Sequence, residues 1–195
     1  MNKEILQKFC SPDNSMMNVP FSFGAHTYAT NGHIIVRVPK LPDAEEGSFL
    51  NEKAAVMFDA IPDLSGMVEL PELSDEEAET CRVCGGTGKT EVCPECNGEG
   101  AFTFSTNFND YECECLSCNG QGEVKGRGQT CGTCYGTGKK PEWKRISIGS
   151  SGFATFYLRL MRDNLPGVKI LPNDPVNACH FQFDGGDGFL MPMLG

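Results

Sequence analysis

The sequence predicts an α+β fold in which a β-hairpin-rich, cysteine-rich segment interrupts a single domain. Three observations lead there. Helical and strand-like hydrophobic patterns occupy residues 1–79 and 141–195, whereas eight of the eleven cysteines fall in four CxxC pairs between positions 81 and 134. The third is length: a stretch of about 55 residues, the size of the second flank, rarely supplies a sufficient core without staples, so the two flanks are expected to share one. The expected organisation is a discontinuous domain, 1–79 and 141–195, with 80–140 inserted as an arm.

The first flank opens with an amphipathic helix over Asn2 to Cys10, in which Ile5, Leu6 and Phe9 share a face. Phe21 to Thr30 and His33 to Pro39 are rich in aromatic and β-branched residues. They meet at Asn31-Gly32, the dipeptide that best suits a tight hairpin turn. Asn51 is placed to cap a helix in which Ala54, Met57, Phe58 and Ile61 recur at helical spacing, stopped by Pro62. A short strand, Met67 to Leu70, follows.

In the second flank Trp143 to Ile148 reads as a strand. Phe153, Phe156, Tyr157, Leu160 and Met161 then fall at i, i+3, i+4, i+7 and i+8, one wall of a helix over 152–164. Val168 to Leu171, the alternating run around Cys179, Phe181 and Phe183, a turn over Asp184 to Gly188 and a terminal run from Phe189 to Leu194 complete the order strand, helix and three strands. The natural attachment for the insertion is a hairpin stalk, with Met67 to Leu70 leading out and Trp143 to Ile148 leading back.

No run approaches the roughly 18 apolar residues that a membrane span needs, and MNKEILQKF has no apolar stretch ending in a cleavage site. The expectation is a soluble, cytoplasmic protein with no membrane partner. In that compartment thiols stay reduced, so the cysteines point to metal rather than disulfides. The formal charge of −10 is concentrated in residues 1–80, with 14 acidic against 5 basic side chains. Two zinc ions on eight thiolates would take the total to about −14. Nonspecific affinity for nucleic acid, which depends on neutralising phosphates, is expected to be poor.

The four pairs are copies of one pattern, CxxCxGxG: CRVCGGTG from Cys81, CPECNGEG from Cys93, CLSCNGQG from Cys115 and CGTCYGTG from Cys131. Each supplies two thiolates on a tight knuckle, and its glycines permit backbone conformations that aim N–H groups at sulfur. Zinc takes four such ligands, so four knuckles make two structural sites.

This block resembles the cysteine-rich region of DnaJ-type co-chaperones over about 60 of the 195 residues. The resemblance implies nested pairing. Cys81, Cys84, Cys131 and Cys134 would hold one zinc, and Cys93, Cys96, Cys115 and Cys118 the other. It also implies protein binding, because in that family the module takes part in handling unfolded polypeptide. The chain contains no His-Pro-Asp tripeptide, so stimulation of a partner chaperone's ATPase is not carried over.

The flanks resemble a single domain of bacterial DNA-polymerase sliding clamps, which is built from two strand-helix-three-strand halves. Tyr28-Ala29-Thr30-Asn31-Gly32-His33 is similar to the ATDGH turn found there, and Asn173-Asp174-Pro175 with Gly186 to Met193 resembles a clamp's closing strands. A clamp subunit has three such domains and this chain has one. Little precedes the first helix that could supply an opening strand.

Cys10 and Cys179 stand alone on apolar faces and read as buried thiols. Cys113 reads as a bystander between Glu112 and Glu114, with substitution as a zinc ligand the alternative. His26, His33 and His180 show neither metal nor triad spacing, and no catalytic residue stands out. The run Asp75, Glu76, Glu77 and Glu79 reads as a solvated stretch. The leading expectation is therefore a non-enzymatic zinc protein that binds another macromolecule through its arm, either unfolded polypeptide or a host or replication protein. The alternative is a clamp-like accessory of DNA replication or recombination, of the kind a phage or mobile element encodes, which would touch DNA only as an oligomer. A thiol oxidoreductase is disfavoured, because zinc sites with four cysteines are coordinatively closed.

Overall fold

The computed structural model describes residues 1–11, 14, 16–47, 57–60, 63–74, 78–172 and 174–194. The chain forms two compact units, Met1–Glu77 with Glu142–Gly195, and Ala78–Pro141. No helix among the described residues is long and apolar enough to cross a membrane.

The first unit begins with helix α1 (Lys3–Gln7), shorter than the expected Asn2 to Cys10. Asn2 lies just outside it and caps it, its side-chain oxygen accepting the Ile5 N–H at 2.9 Å. Leu6 and Phe9 are fully buried. Strands β1 (Phe21–Phe23), β2 (His26–Thr30), β3 (Ile34–Pro39), β4 (Glu45–Glu46) and β5 (Val68–Glu69) follow. The expected single strand from Phe21 to Thr30 is thus two strands. Gly24, at φ +58°, turns the chain between them, and they pair antiparallel. At Asn31-Gly32 the chain does reverse into β3: the Asn31 side chain accepts the N–H groups of His33 and Ile34, and Gly32 adopts φ +89°. Of the helix expected after Asn51, Met57, Phe58 and Asp59 are helical, while 51–56, 61 and 62 lie outside the described residues.

The second unit contains β6 (Lys89–Val92), β7 (Ala101–Ser105), β8 (Asp110–Glu114), β9 (Glu123–Lys125) and β10 (Gln129–Thr130). They make a three-stranded sheet in the order β10-β6-β9 and a separate β7-β8 hairpin.

The first unit then resumes with β11 (Arg145–Ile148), β12 (Ser151–Ala154), helix α2 (Thr155–Asn164), β13 (Lys169–Ile170), β14 (Cys179–Phe183) and β15 (Gly186–Leu190). Helix α2 starts later than periodicity suggested, because Gly152 and Phe153 are extended and pair with Ser147 and Ile146 in the β11-β12 hairpin. It buries Phe156, Tyr157, Leu158, Leu160 and Met161. Strand β15 starts earlier than expected, so the turn shrinks to Asp184-Gly185 and two glycines fall inside a strand. Gly186 lies opposite Phe183 and Gly188 opposite Phe181. A Cβ at Gly188 would stand 2.3 Å from the Phe181 ring and 2.2 Å from the Ile35 carbonyl oxygen. The glycines are there to let aromatic side chains lie across the strand.

Among the described residues the main sheet has eight strands, in the order β4-β1-β2-β3-β15-β14-β13-β5. All neighbours are antiparallel except β1 and β4. Two expectations need correction. Strand β5 pairs with β13, and β11 pairs with β12, so Met67 to Leu70 and Trp143 to Ile148 do not form a hairpin stalk. Each finds a partner within its own unit. The two strand-helix-strand halves are also unequal: β12 leads into α2, but no strand precedes α1 among the described residues, and the protein is mostly β with few helices.

Candidate metal centres

The second unit is organised by its four knuckles, and their backbones pair before any metal is considered. The Cys81 N–H donates to the Gly138 carbonyl at 3.0 Å, and the Cys131 N–H returns the bond to Gly88 at 3.0 Å. The Cys93 N–H donates to Gly122 at 2.9 Å, and Cys115 to Gly100 at 2.8 Å. The first knuckle is therefore bonded reciprocally to the fourth, and the second to the third. Outside the outer pair, Thr80 bridges Lys139 and the Lys140 N–H donates to the Glu79 carbonyl at 2.7 Å.

The terminal glycine of each repeat has two tasks. Its N–H donates to the second cysteine sulfur of its own knuckle at 3.2–3.3 Å: Gly88 to Cys84, Gly100 to Cys96, Gly122 to Cys118 and Gly138 to Cys134. Its Cα also presses on the partner knuckle. A Cβ at Gly122 would stand 2.2 Å from the Gly98 carbonyl oxygen, and one at Gly138 would stand 2.3 Å from that of Gly86. The xGxG half of the motif is thus a backbone-on-backbone contact.

Two sets of sulfurs result, Cys81, Cys84, Cys131 and Cys134, and Cys93, Cys96, Cys115 and Cys118, each with all its sulfurs within 4.8 Å of one another. All eight residues are buried. Cys81 and Cys131 sulfurs are 3.9 Å apart, Cys84 and Cys134 3.7 Å, Cys93 and Cys115 3.9 Å, and Cys96 and Cys118 3.7 Å. These separations are far too long for disulfides, and all eight cysteines are free. A tetrahedron with zinc–sulfur bonds of about 2.3 Å has edges of about 3.8 Å. The two clusters are compatible with two structural zinc ions.

The polar surroundings favour thiolate unevenly. Burial pushes the Cys84 thiol up, but the Gly88 and Gly86 N–H groups, joined by bonds from Cys81 and Cys134, bring it down to about 7. Gly100 and Gly98, with bonds from Cys93 and Cys118, do the same for Cys96, also about 7, whereas burial keeps Cys115 up at about 11. An ion would supply the positive charge that lets all four sulfurs of a cluster ionise together.

The remaining singled-out residues lie elsewhere. Cys113 is exposed on β8 and outside both clusters. Cys10 is buried and pushed up to about 12 by that burial, and Cys179 is buried beside the Ser151 hydroxyl. His180 belongs to a constellation that sequence reasoning missed. Its Nε2 lies 3.2 Å from an Asp187 carboxylate oxygen, and Arg37 grips the same carboxylate through two bonds of 2.8 and 2.7 Å. Burial pushes the Asp187 carboxyl up, but these two partners hold it below the usual carboxylate range. Arg37 also lies over the Phe58 ring, 4.1 Å from its centroid. Asp187↔Arg37 is a register pair of β15 and β3, invisible without the sheet order.

Against known proteins, the similarity lies in the cysteine-rich region. The chain is 35% identical over 81 residues to the chaperone protein DnaJ of Francisella philomiragia subsp. philomiragia, covering 40% of this chain and 21% of that protein. It is 31% identical over 113 residues to the chaperone protein DnaJ of Haloarcula marismortui, covering 52% and 29%. With the chaperone protein DnaJ of Prochlorococcus marinus subsp. pastoris it shares 33% over 87 residues, 40% and 22%. The chain thus spans between a fifth and a third of the curated relatives it matches. No family model matches, and no solved structure matches.

Proposed function

We propose that this protein is a non-enzymatic, zinc-stabilised binding factor whose cysteine-rich unit engages polypeptide. The observation that carries the reading is the pair of buried four-cysteine clusters, with sulfur spacings suited to tetrahedral zinc and built on reciprocally bonded knuckles. Cys81, Cys84, Cys131 and Cys134 hold one ion; Cys93, Cys96, Cys115 and Cys118 hold the other. Such sites are coordinatively closed, so their role is to hold shape rather than to activate water or substrate. Similarity to DnaJ chaperones supports protein, unfolded polypeptide included, as the partner.

In this reading residues 1–79 and 141–195 form one discontinuous domain and 80–140 is an insertion. The pairing of β3 with β15, which joins strands from both flanks in one sheet, supports it. The test is binding of a permanently unfolded, reduced and alkylated polypeptide to the zinc-loaded and chelator-stripped protein. Zinc-dependent, saturable binding is expected. Equal binding with and without zinc, or none, overturns the reading.

One observation favours a clamp-like character for the larger unit. Helix α1 is followed by β1, β2 and β3, helix α2 by β13, β14 and β15, and the two triplets join through the antiparallel pair β3 and β15 in the reversed order β1-β2-β3-β15-β14-β13. A clamp-like role in replication or recombination would need several copies to enclose DNA. A monomeric mass in solution would remove it.

A further inference from the structure

The β7-β8 hairpin lies between the second and third knuckles, and the two centres give it no role. Its register places Phe102 opposite Cys113 and Phe104 opposite Tyr111, so these four side chains share one face. Phe104 and Tyr111 stack with ring centroids 5.2 Å apart. Yet Phe102, Phe104 and Tyr111 remain 43, 51 and 45% exposed. The opposite face carries Asp110, Glu112 and Glu114. Among the described residues β8 pairs only with β7, so its outer edge presents unpaired backbone groups.

Strand β8 therefore reads acid, apolar, acid, apolar, acid over Asp110, Tyr111, Glu112, Cys113 and Glu114, all exposed. A strand added at its edge would place alternate side chains beside Tyr111 and Cys113 and the others beside the three carboxylates. Charge selects the partner. From Thr90 to Val124 the chain has no Lys, Arg or His, but it has Glu91, Glu95, Glu99 and Glu123 in addition to the three acids of β8. That field repels phosphate backbones and a second copy of the same hairpin, and attracts a cationic segment. We infer that the outer edge of β8 binds, by strand addition, an extended polypeptide segment in which apolar residues alternate with Lys or Arg.

This inference rests on the protein-binding reading of the cysteine-rich unit and narrows it to one edge and one class of segment. The test uses the zinc-loaded full chain and fluorescein-labelled peptides of alternating lysine and valine, glutamate and valine, or lysine and glycine, followed by anisotropy. The lysine-valine peptide should bind at least about tenfold more tightly than either of the others, as several favourable cross-strand pairs require. Reversing Glu112 and Glu114 together to Lys should transfer the preference to the glutamate-valine peptide, and Tyr111→Ser should weaken binding of the lysine-valine peptide. Each variant's zinc content checks that the unit has folded. Equal binding of the three peptides, a preference unchanged by charge reversal, or sedimentation as a dimer that Tyr111→Ser dissolves would each overturn the inference. If unfolded polypeptide still binds in a zinc-dependent manner while the hairpin variants change nothing, the broader reading survives and only this edge is wrong.

Discussion

Replacing Gly122 by alanine tests whether the close approach of paired knuckles, rather than the cysteine spacing alone, makes the metal centres. The new Cβ would stand 2.2 Å from the Gly98 carbonyl oxygen and 3.0 Å from its carbon. Ordinary carbon–oxygen contact is about 3.3 Å, so the second and third knuckles must part by about 1 Å. Such a movement strains two backbone bonds, Cys93 to Gly122 and Cys115 to Gly100, worth about 1 kcal/mol each. Alanine at φ +69° adds about 1–2 kcal/mol. The sum, about 3–4 kcal/mol, corresponds to a loss of about 100- to 1000-fold in affinity for the ion of that cluster. Gly85→Ala is the control. Gly85 also has positive φ, +59°, but the nearest atoms a Cβ there meets belong to the flexible Lys125 side chain, at 3.5 Å, so it should cost about 1–2 kcal/mol, about 5- to 30-fold. Competition with a chromophoric chelator, resolving the two zinc ions, reads both variants. If Gly122→Ala were as mild as Gly85→Ala, or weakened both ions equally, the reasoning would fail.

Cys81→Ser should lose one zinc and expose protease cuts near Lys139 and Lys140, whereas Cys96→Ser should lose the other and expose cuts near Lys125 and Arg127; mass spectrometry of the fragments distinguishes this from pairing in sequence order. Chelation should melt residues 78–141 while amide protection persists in the eight-stranded sheet, because metal binding and folding are coupled in that unit; simultaneous loss of protection in both would contradict it. Asp187→Asn should destabilise the larger unit by about 3 kcal/mol in a urea titration, since it leaves a mostly buried Arg37 without its counter-charge. In the native protein the Asp187 carboxyl lies below its unfolded value, so its contribution is complete above the ordinary carboxylate pKa of about 4 and is lost as pH falls through the lowered value. An Asp187→Asn protein with the same acid sensitivity as the parent would remove Asp187 from that account.

The knuckles were legible because their determinants are local: a CxxC makes its own knuckle, and the terminal glycine donates to a sulfur four residues back; which knuckle meets which came only from the resemblance. What could not be read was the purpose of the glycines toward the partner knuckle, because Gly88 meets Gly136 only after the chain has folded. The same division holds in the sheet. The Asn31 turn is local, its side chain reaching the N–H three residues on, and is legible in the sequence. Gly186 and Gly188 looked like turn residues because the rings of Phe183 and Phe181 that cross them belong to the facing strand. Pairing of β5 with β13 spans a hundred residues and carries only two register pairs, so no alternation in either segment announced it. The link between Arg37 and Asp187 was hidden for the same reason.

The bonds at the two ends of the cysteine-rich unit close it on itself. Glu79 and Lys140 meet through a backbone hydrogen bond, and Thr80 bridges Lys139 just inside. To whatever precedes and follows, the whole intervening chain has the end-to-end geometry of a tight β-turn. Closing a loop costs entropy according to how far its ends must be brought together, and here folding of the unit has already brought them together. The strands on either side, β5 and β11, can therefore pair elsewhere, with β13 and β12, without being needed to hold those ends together.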